Sequence, residues 1–165
     1  MRTMISAIAA AALLAGCSDN APPPKPTEAA ASQLKPGEYE LSATVDSIRS
    51  TDQSTPATKS AAGGPASITR TCVAADGTIP PSAFVEANET CVASDHYMSR
   101  GRLSLQFRCT RPVNGMLTQS VDGNFTADSF TAKLFTASYF AGVGDYELRR
   151  SVTARRVGEC PPPKA

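Results

Sequence analysis

The sequence predicts a mainly β domain: an antiparallel meander of about seven strands that forms a curved sheet or a small barrel, with one short helix. Apolar and polar residues alternate with a period of two in several segments, including residues 39–45 and 103–109. This alternation is the pattern of half-buried strands. Groups of glycine, proline, serine and asparagine separate these segments and are typical of turns. Strands joined by such short turns pair antiparallel.

In the first half of the domain, the sequence predicts two strands, one loop and one helix. Residues 39–45 form the opening strand and residues 68–73 a second, shorter strand. Between them, residues 51–67 are rich in proline, glycine and small polar side chains, which predicts a long, mobile loop. Pro80 and Pro81 precede residues 82–87, and proline is tolerated in a first helical turn, so a short helix is expected there.

Two hairpins dominate the second half. A turn at residues 99–101 returns the chain from a strand at residues 91–98 to one at residues 102–109. A second turn at residues 126–129 joins strands at residues 116–125 and 130–137. Pairing about that turn opposes Phe125 to Phe130 and Val121 to Leu134, which gives a buried hairpin face. A last strand follows at residues 146–154.

The N-terminal segment has the features of a secretory signal. Arg2 precedes an uncharged apolar run, residues 4–14, and the run Leu13-Leu14-Ala15-Gly16-Cys17 follows. This ending resembles the lipobox of bacterial lipoproteins, which implies that Cys17 is acylated and becomes the mature N-terminus. The alternatives are an ordinary signal peptide with a chance cysteine, or a buried helix. A membrane-spanning helix needs about 20 apolar residues, more than this run contains.

The chain therefore divides into a signal peptide (1–16), the lipidated Cys17 with a tether rich in proline and alanine (17–33), and a β-rich domain (34–161). Ser18 stands where an aspartate favours inner-membrane retention, so the resemblance implies the periplasmic face of the outer membrane. Without the signal the chain has 15 basic and 15 acidic residues. A net charge of zero gives no long-range attraction for nucleic acid, and we expect no nucleic-acid partner.

Four cysteines remain once Cys17 is assigned to lipid: Cys72, Cys91, Cys109 and Cys160. An even number in an exported chain predicts two disulfides. No two are fewer than eighteen positions apart, whereas thiolate zinc sites present close pairs of ligands. A hairpin register centred on Arg100 opposes Cys91 to Cys109, which would leave Cys72 to pair with Cys160. The sequence alone allows three connectivities.

Several of these features recur together in one family. They are the opening Pro36-Gly37-Glu38-Tyr39, a cysteine, short helical segment and second cysteine (Cys72 and Cys91), a hairpin ending at Cys109, and the closing Arg155-Arg156-Val157-Gly158-Glu159-Cys160-Pro161. Over residues 34–161 the chain resembles the domain of unknown function 3617 family of Gram-negative bacteria. The closing run is the most specific part of the resemblance. It implies an envelope location and a β-rich fold, and it implies no activity.

The sequence offers little to catalysis. His96 is the only histidine, and its neighbours Ser94 and Asp95 cannot converge with it, because adjacent strand residues point to opposite faces. No Gly-x-Ser-x-Gly elbow is present. Asp122, Asn124 and Asp128 suit turns better than calcium ligands, since the EF-hand pattern is absent. We expect a non-enzymatic protein without metal or cofactor.

Arginines are concentrated in two segments. Arg149, Arg150, Arg155 and Arg156 lie within eight positions of the last strand, and the central hairpin carries Arg100, Arg102, Arg108 and Arg111. On a shared face their guanidinium groups would bind phosphates of lipid headgroups. The alternative is a solvated strand face whose charges discourage edge-to-edge aggregation.

Two hypotheses of function follow. In the first, an apolar concave face holds a lipid, another hydrophobic ligand or an envelope protein near the membrane. In the second, the domain is a structural or interaction protein of the envelope without a small-molecule ligand. A cavity of about 300 Å³ or more would favour the first, and an exposed apolar patch without a cavity the second.

The acylation of Cys17 is directly testable. We expect Cys17→Ala to abolish incorporation of radiolabelled palmitate in cells, because the side chain that carries the lipid is removed. Cys91→Ala, which leaves the leader intact, is the control and keeps the label. Labelling of the Cys17→Ala protein would contradict the assignment.

Overall fold

The computed structural model describes residues 31–86, 89–112 and 115–162. Seven antiparallel strands form one curled sheet, a half-barrel, so the predicted fold class is confirmed. The strands are β1 (Gly37–Ser50), β2 (Ser67–Val73), β3 (Thr90–Ser99), β4 (Arg102–Arg111), β5 (Gly115–Phe125), β6 (Ser129–Phe140) and β7 (Tyr146–Gly158). Cys17 and most of the predicted tether lie outside the described residues. Among those described, no helix is long and apolar enough to cross a membrane.

The sheet has the order β2-β1-β7-β6-β5-β4-β3. Strands β3 to β7 form an uninterrupted meander, and β1 then pairs with β7 along nearly its whole length. The first and last strands are therefore neighbours, while β2 and β3 form the two edges. Because the edges do not pair with each other in the described structure, the half-barrel has an open side.

The central hairpin reaches the predicted cysteine pairing by a different route. Its turn contains two residues, Arg100 and Gly101, whose φ angles of 50° and 74° are those of a type I′ turn. Ser99 pairs with Arg102, so the predicted three-residue turn was wrong. One extra residue in β3, Ser94, then forms a bulge that shifts the register by one. The shift places Cys91 directly opposite Cys109.

Both predicted disulfides are present in the structure. Cys91–Cys109 joins β3 to β4 with a Cα–Cα distance of 4.0 Å. Cys72–Cys160 joins β2 to the residues after β7, with a Cα–Cα distance of 5.6 Å and a sequence separation of 88. Each disulfide ties an edge strand to the rest of the sheet.

The hairpin of β5 and β6 follows the sequence prediction. Phe125 is opposite Phe130 and Val121 is opposite Leu134, and all four side chains are buried. Buried and accessible residues alternate along β4 to β7, so that one face of each strand points into the half-barrel. Their apolar side chains form the main hydrophobic core.

Residues 74–86, here called the plug, cover part of the open side of the half-barrel. Ile79 and Phe84 are each 1 % exposed. The Phe84 ring lies 5.9 Å from that of Phe107 and 6.0 Å from that of Phe130, measured between centroids. The plug contacts both edge strands through its only helical turn.

Over the described part of the helix predicted at residues 82–87, one 3₁₀ turn is present instead, Pro81–Ala83; Ala87 lies outside the described residues. The chain leaves the helical conformation at Phe84, whose φ is −120°. This geometry turns the Phe84 ring into the core while its carbonyl accepts hydrogen bonds from Gln119 and Arg150 on the sheet. Burial of the Phe84 ring therefore stabilises the fold more than a longer helix would, because the first turn of a helix gains little stability by itself.

Loss of the Phe84 ring should leave a cavity at the centre of the core. We expect Phe84→Ala to lower the free energy of unfolding by about 3–5 kcal/mol, measured by urea denaturation. Tyr139→Ala is a matched aromatic control because Tyr139 is 57 % exposed, and it should change stability by less than about 1 kcal/mol. Equal effects of the two substitutions would show that the plug does not complete the core.

Candidate functional site

A cleft of about 810 Å³ lies on the inner face of the sheet beside the plug. Its floor contains Ala43 and Val45 of β1 and Arg150 of β7, and Val45 is directly opposite Arg150 in the ladder. Residues 51–66, here called the long loop, form its roof, and Val85 and Glu86 of the plug form a wall. The further lining residues are Pro56, Ala57, Thr58, Lys59, Ser60, Ala61, Gly64, Pro65, Ser67 and Arg111.

Asp52 attaches the long loop to the turn between β6 and β7. Its Oδ2 accepts hydrogen bonds from the backbone N–H groups of Gly144 at 2.7 Å and Asp145 at 3.1 Å. The hydroxyl and then the backbone N–H of Ser54 also donate to Asp52, and these bonds hold the pKa of its carboxyl well below the usual range. The sequence predicts this loop as mobile; in the structure it is docked on the sheet by specific hydrogen bonds.

Gly144 allows this close docking. Its φ is +107°, and a Cβ at this position would lie 2.7 Å from the Cβ of Ala57 in the loop. The backbone N–H of Ala57 donates to the Gly144 carbonyl at 2.9 Å. A side chain at residue 144 would therefore force the roof of the cleft away from the sheet.

Arg111 joins the long loop, the plug and the sheet. Its Nη1 donates to the Ala57 carbonyl at 2.6 Å. Its Nη2 contacts Glu86 at 3.0 Å, Glu89 at 2.7 Å and the Tyr146 hydroxyl at 2.9 Å. The guanidinium also lies over the rings of Tyr146 and Phe140, at 5.9 and 5.5 Å. We call Arg111, Glu86, Glu89 and Tyr146 the Arg111 cluster.

Glu86 extends the Arg111 cluster to the roof of the cleft. It accepts hydrogen bonds from the hydroxyls of Thr58 and Ser60 in the long loop. The Glu89 side chain is only 4 % exposed. The carboxylates of Glu86 and Glu89 neutralise the Arg111 guanidinium, so Arg111 has no uncompensated positive charge to offer a ligand. The Arg111 cluster therefore holds the cleft together.

Arg150 differs from Arg111 because it lacks a carboxylate. Its Nη2 donates to the Phe84 carbonyl, which also accepts a hydrogen bond from Gln119 Nε2 at 3.2 Å. Its Nε is buried and has no hydrogen-bond partner in the described structure. Among the described residues, no carboxylate oxygen lies within 4.0 Å of an Arg150 nitrogen, because the nearby Glu86 and Glu89 form their ion pairs with Arg111. Burial lowers the pKa of Arg150, as expected for a cation removed from water.

The structure does not bring the four predicted headgroup-binding arginines together. Arg149 is on the outer face over the Phe135 ring at 4.8 Å, and Arg155 is there too, bonded to Glu40 at 2.9 Å. Arg156 lies at the end of the inner face, where its Nε donates to the Pro36 carbonyl at 2.8 Å. Only Arg150 lines the cleft. Alternation along β7 separates neighbouring arginines, so these four side chains form no common patch.

The remaining predicted chemical groups lie apart from the cleft. His96 is exposed on the edge strand β3. In the described part of the chain, one group of side chains has metal-ligand spacing: Glu89, Cys91 and Cys109. The two cysteines form a disulfide, so they present no thiolates to a metal.

The cleft residues were mostly missed by the sequence analysis. Arg111 was predicted only as one of the hairpin arginines, and no local motif connects it with Glu86 and Glu89, which lie more than twenty positions earlier. Asp52 and Ser54 in a polar loop gave only a general turn signal. Val45 was identified as an inward-facing strand residue, without its role in a cleft.

These features define a class: an open antiparallel half-barrel, closed partly by a plug and partly by a docked loop that roofs a cleft. Residues 34–160 match the family described as "Protein of unknown function (DUF3617)", and the chain belongs to this family. The comparison with curated proteins found no match, nor did the comparison with solved structures.

The Arg111 cluster predicts an alkaline limit to stability. Burial, then the negative charge of Glu86, raises the pKa of Tyr146 to about 12, so the folded state favours the neutral phenol. This contribution is complete below about pH 10 and is lost as pH rises through the folded pKa. Between about pH 9 and pH 11, wild-type protein should lose about 1 kcal/mol more unfolding free energy than Tyr146→Phe.

Urea denaturation at the two pH values measures this difference. Tyr139→Phe, at an exposed position, is the control and should lose as much as the wild type. An identical pH dependence in Tyr146→Phe would refute the assignment of a raised pKa to Tyr146.

Proposed function

We propose that this protein is a lipid-anchored, non-enzymatic binding module of the cell envelope, and that its cleft receives a small hydrophobic ligand. The observation that carries the proposal is the roofed cleft of about 810 Å³ on the inner face. Ligand sites typically have volumes of about 300–1,000 Å³ and mix an apolar lining with a few placed polar groups. The lining here has this composition, with Ala43, Val45, Pro56 and Val85 beside Arg150.

The proposed location rests on the N-terminal sequence. The run ending at Cys17 resembles a lipobox, and Ser18 after it favours the outer membrane over retention at the inner one. Prolines 22, 23, 24 and 26 favour an extended tether, at about 3 Å per residue. Such a tether would hold the cleft some tens of ångströms from the lipid surface. Two disulfides suit the oxidising periplasm.

Binding accounts for the polar groups of the cleft better than catalysis does. Glu86 and Arg111 are engaged with each other and with the long loop. Arg150 is bonded to the plug. A general acid or base must reach the substrate with a free proton site, and these groups instead maintain the shape of the cleft.

One observation favours the second candidate function, an envelope interaction protein without a small ligand. Met116 and Tyr139 are directly opposite each other on β5 and β6, and both side chains are exposed. An exposed apolar patch of this kind is typical of a contact surface. It is separate from the cleft, so the two candidate functions can be tested independently.

The proposed function is tested by blocking the cleft. Val45→Trp places a large ring over its floor, whereas Thr44→Trp adds the same ring on the exposed outer face of the same strand. The two proteins and the wild type are purified from native membranes in mild detergent, and bound small molecules are identified by mass spectrometry. We expect a stoichiometric hydrophobic ligand in the wild type and in Thr44→Trp, and at least a tenfold reduction in Val45→Trp.

Equal ligand content in all three proteins would place the ligand outside the cleft and contradict the proposal. A wild-type protein that carries no ligand but retains a protein partner, lost on Tyr139→Ala, would support the second candidate instead.

A further inference from the structure

Arg150 makes the cleft chemically asymmetric. It lies where the floor meets the plug, since it pairs with Val45 in the ladder and donates to the Phe84 carbonyl. Beside Arg150, Ala43, Val45, Pro56 and Val85 offer apolar surface. One region of the cleft is therefore cationic, and a neighbouring region suits an alkyl group.

The charge of Arg150 is not neutralised within the described residues. Glu86 and Glu89 contribute favourable long-range interactions to its charge, but their ion pairs are with Arg111. Lys59 adds a further positive charge to the lining. The cleft is thus lined by three basic side chains and one acidic one, Glu86, and the acidic one is already paired.

A partly buried guanidinium without a carboxylate partner is costly, and proteins usually pair such a charge. Among the described residues Arg150 makes one hydrogen bond, from Nη2 to the neutral Phe84 carbonyl, while its buried Nε has no partner. Carboxylates and phosphates both complement a guanidinium in charge and hydrogen bonding, and a carboxylate matches the single positive charge of Arg150. A ligand that supplied one would complete the environment of Arg150.

Building on the proposed function, we propose that the ligand class is a single-chain amphiphile with a carboxylate head. Its head pairs with Arg150, and its alkyl chain lies along Ala43, Val45 and Val85 beneath the long loop. Arg111 does not bind the head, because Glu86 and Glu89 already occupy its guanidinium.

Ten-carbon probes that differ only in the head group test this assignment. Decanoate, 1-decanol and decyltrimethylammonium are titrated by calorimetry into the full chain carrying Cys17→Ser, the two ionic probes below their micelle concentrations and decanol below its solubility limit. That substitution removes the proposed acylation site, so no covalently attached acyl chain competes with the probes. We expect decanoate to bind at least about tenfold more tightly than decanol, as a charge-assisted contact allows, and the cationic probe to bind most weakly.

Arg150→Gln should remove the preference for decanoate and leave decanol binding within about twofold of the wild type. Arg149→Gln is the matched control, because it removes the same charge from the neighbouring residue on the outer face. It should preserve the full preference. Arg150→Lys retains the charge and a donor, so it should preserve part of the preference for decanoate over decanol. If Arg150→Gln does not fold, this partial loss of preference in Arg150→Lys is the test.

The outcomes separate the two proposals. Equal affinities for decanoate and decanol in the wild type would overturn the carboxylate assignment and leave a hydrophobic ligand site intact. No binding of any probe by the folded protein would overturn the carboxylate-amphiphile assignment while the ligand search in native membranes decides the proposed function. A preference that survives in folded Arg150→Gln and disappears in Arg149→Gln would place the head group on the outer face and overturn the assignment to Arg150.

Discussion

The unpaired edges of the sheet are the constraint on which the rest of this structure depends. In the described structure β2 and β3 end the sheet without pairing with each other, so its apolar inner face must be covered by other parts of the chain. The plug covers one region with Ile79 and Phe84. The long loop covers another without filling it, and the cleft is the space that remains. The same open topology therefore determines both the core and the candidate site.

The Arg111 cluster connects the parts that close this open side. A buried ion pair gains little net stability, because desolvation offsets much of the Coulombic attraction. Its value here is geometric: Arg111 on β4 contacts the long loop at Ala57 and the plug at Glu86. Hydroxyls of the long loop then bond to Glu86. The roof and wall of the cleft thus have one defined position relative to the sheet.

Local patterns in the sequence predicted most of the sheet and little of the site. Alternation gave the β5–β6 register, since Phe125 and Phe130 need the same buried face. The cysteine pairing was also correct, although the turn was wrong at Ser99 and the bulge at Ser94 compensated for it. The helix at residues 82–87 failed because burial of Phe84 depends on contacts with distant strands. The Arg111 cluster joins residues more than twenty positions apart, and no periodicity records such contacts.

Arg150 shows how one residue can both satisfy and break the strand pattern. It takes an inward position on β7, between Leu148 and Val152, which are buried. An apolar residue there would extend the core at no desolvation cost, so a guanidinium at this position lowers stability unless something compensates for it. The Phe84 carbonyl compensates only in part, because it also accepts a hydrogen bond from Gln119 and the Arg150 Nε stays without a partner. Local rules of folding are broken most often where a protein binds or reacts, and in this fold that position coincides with the floor of the cleft.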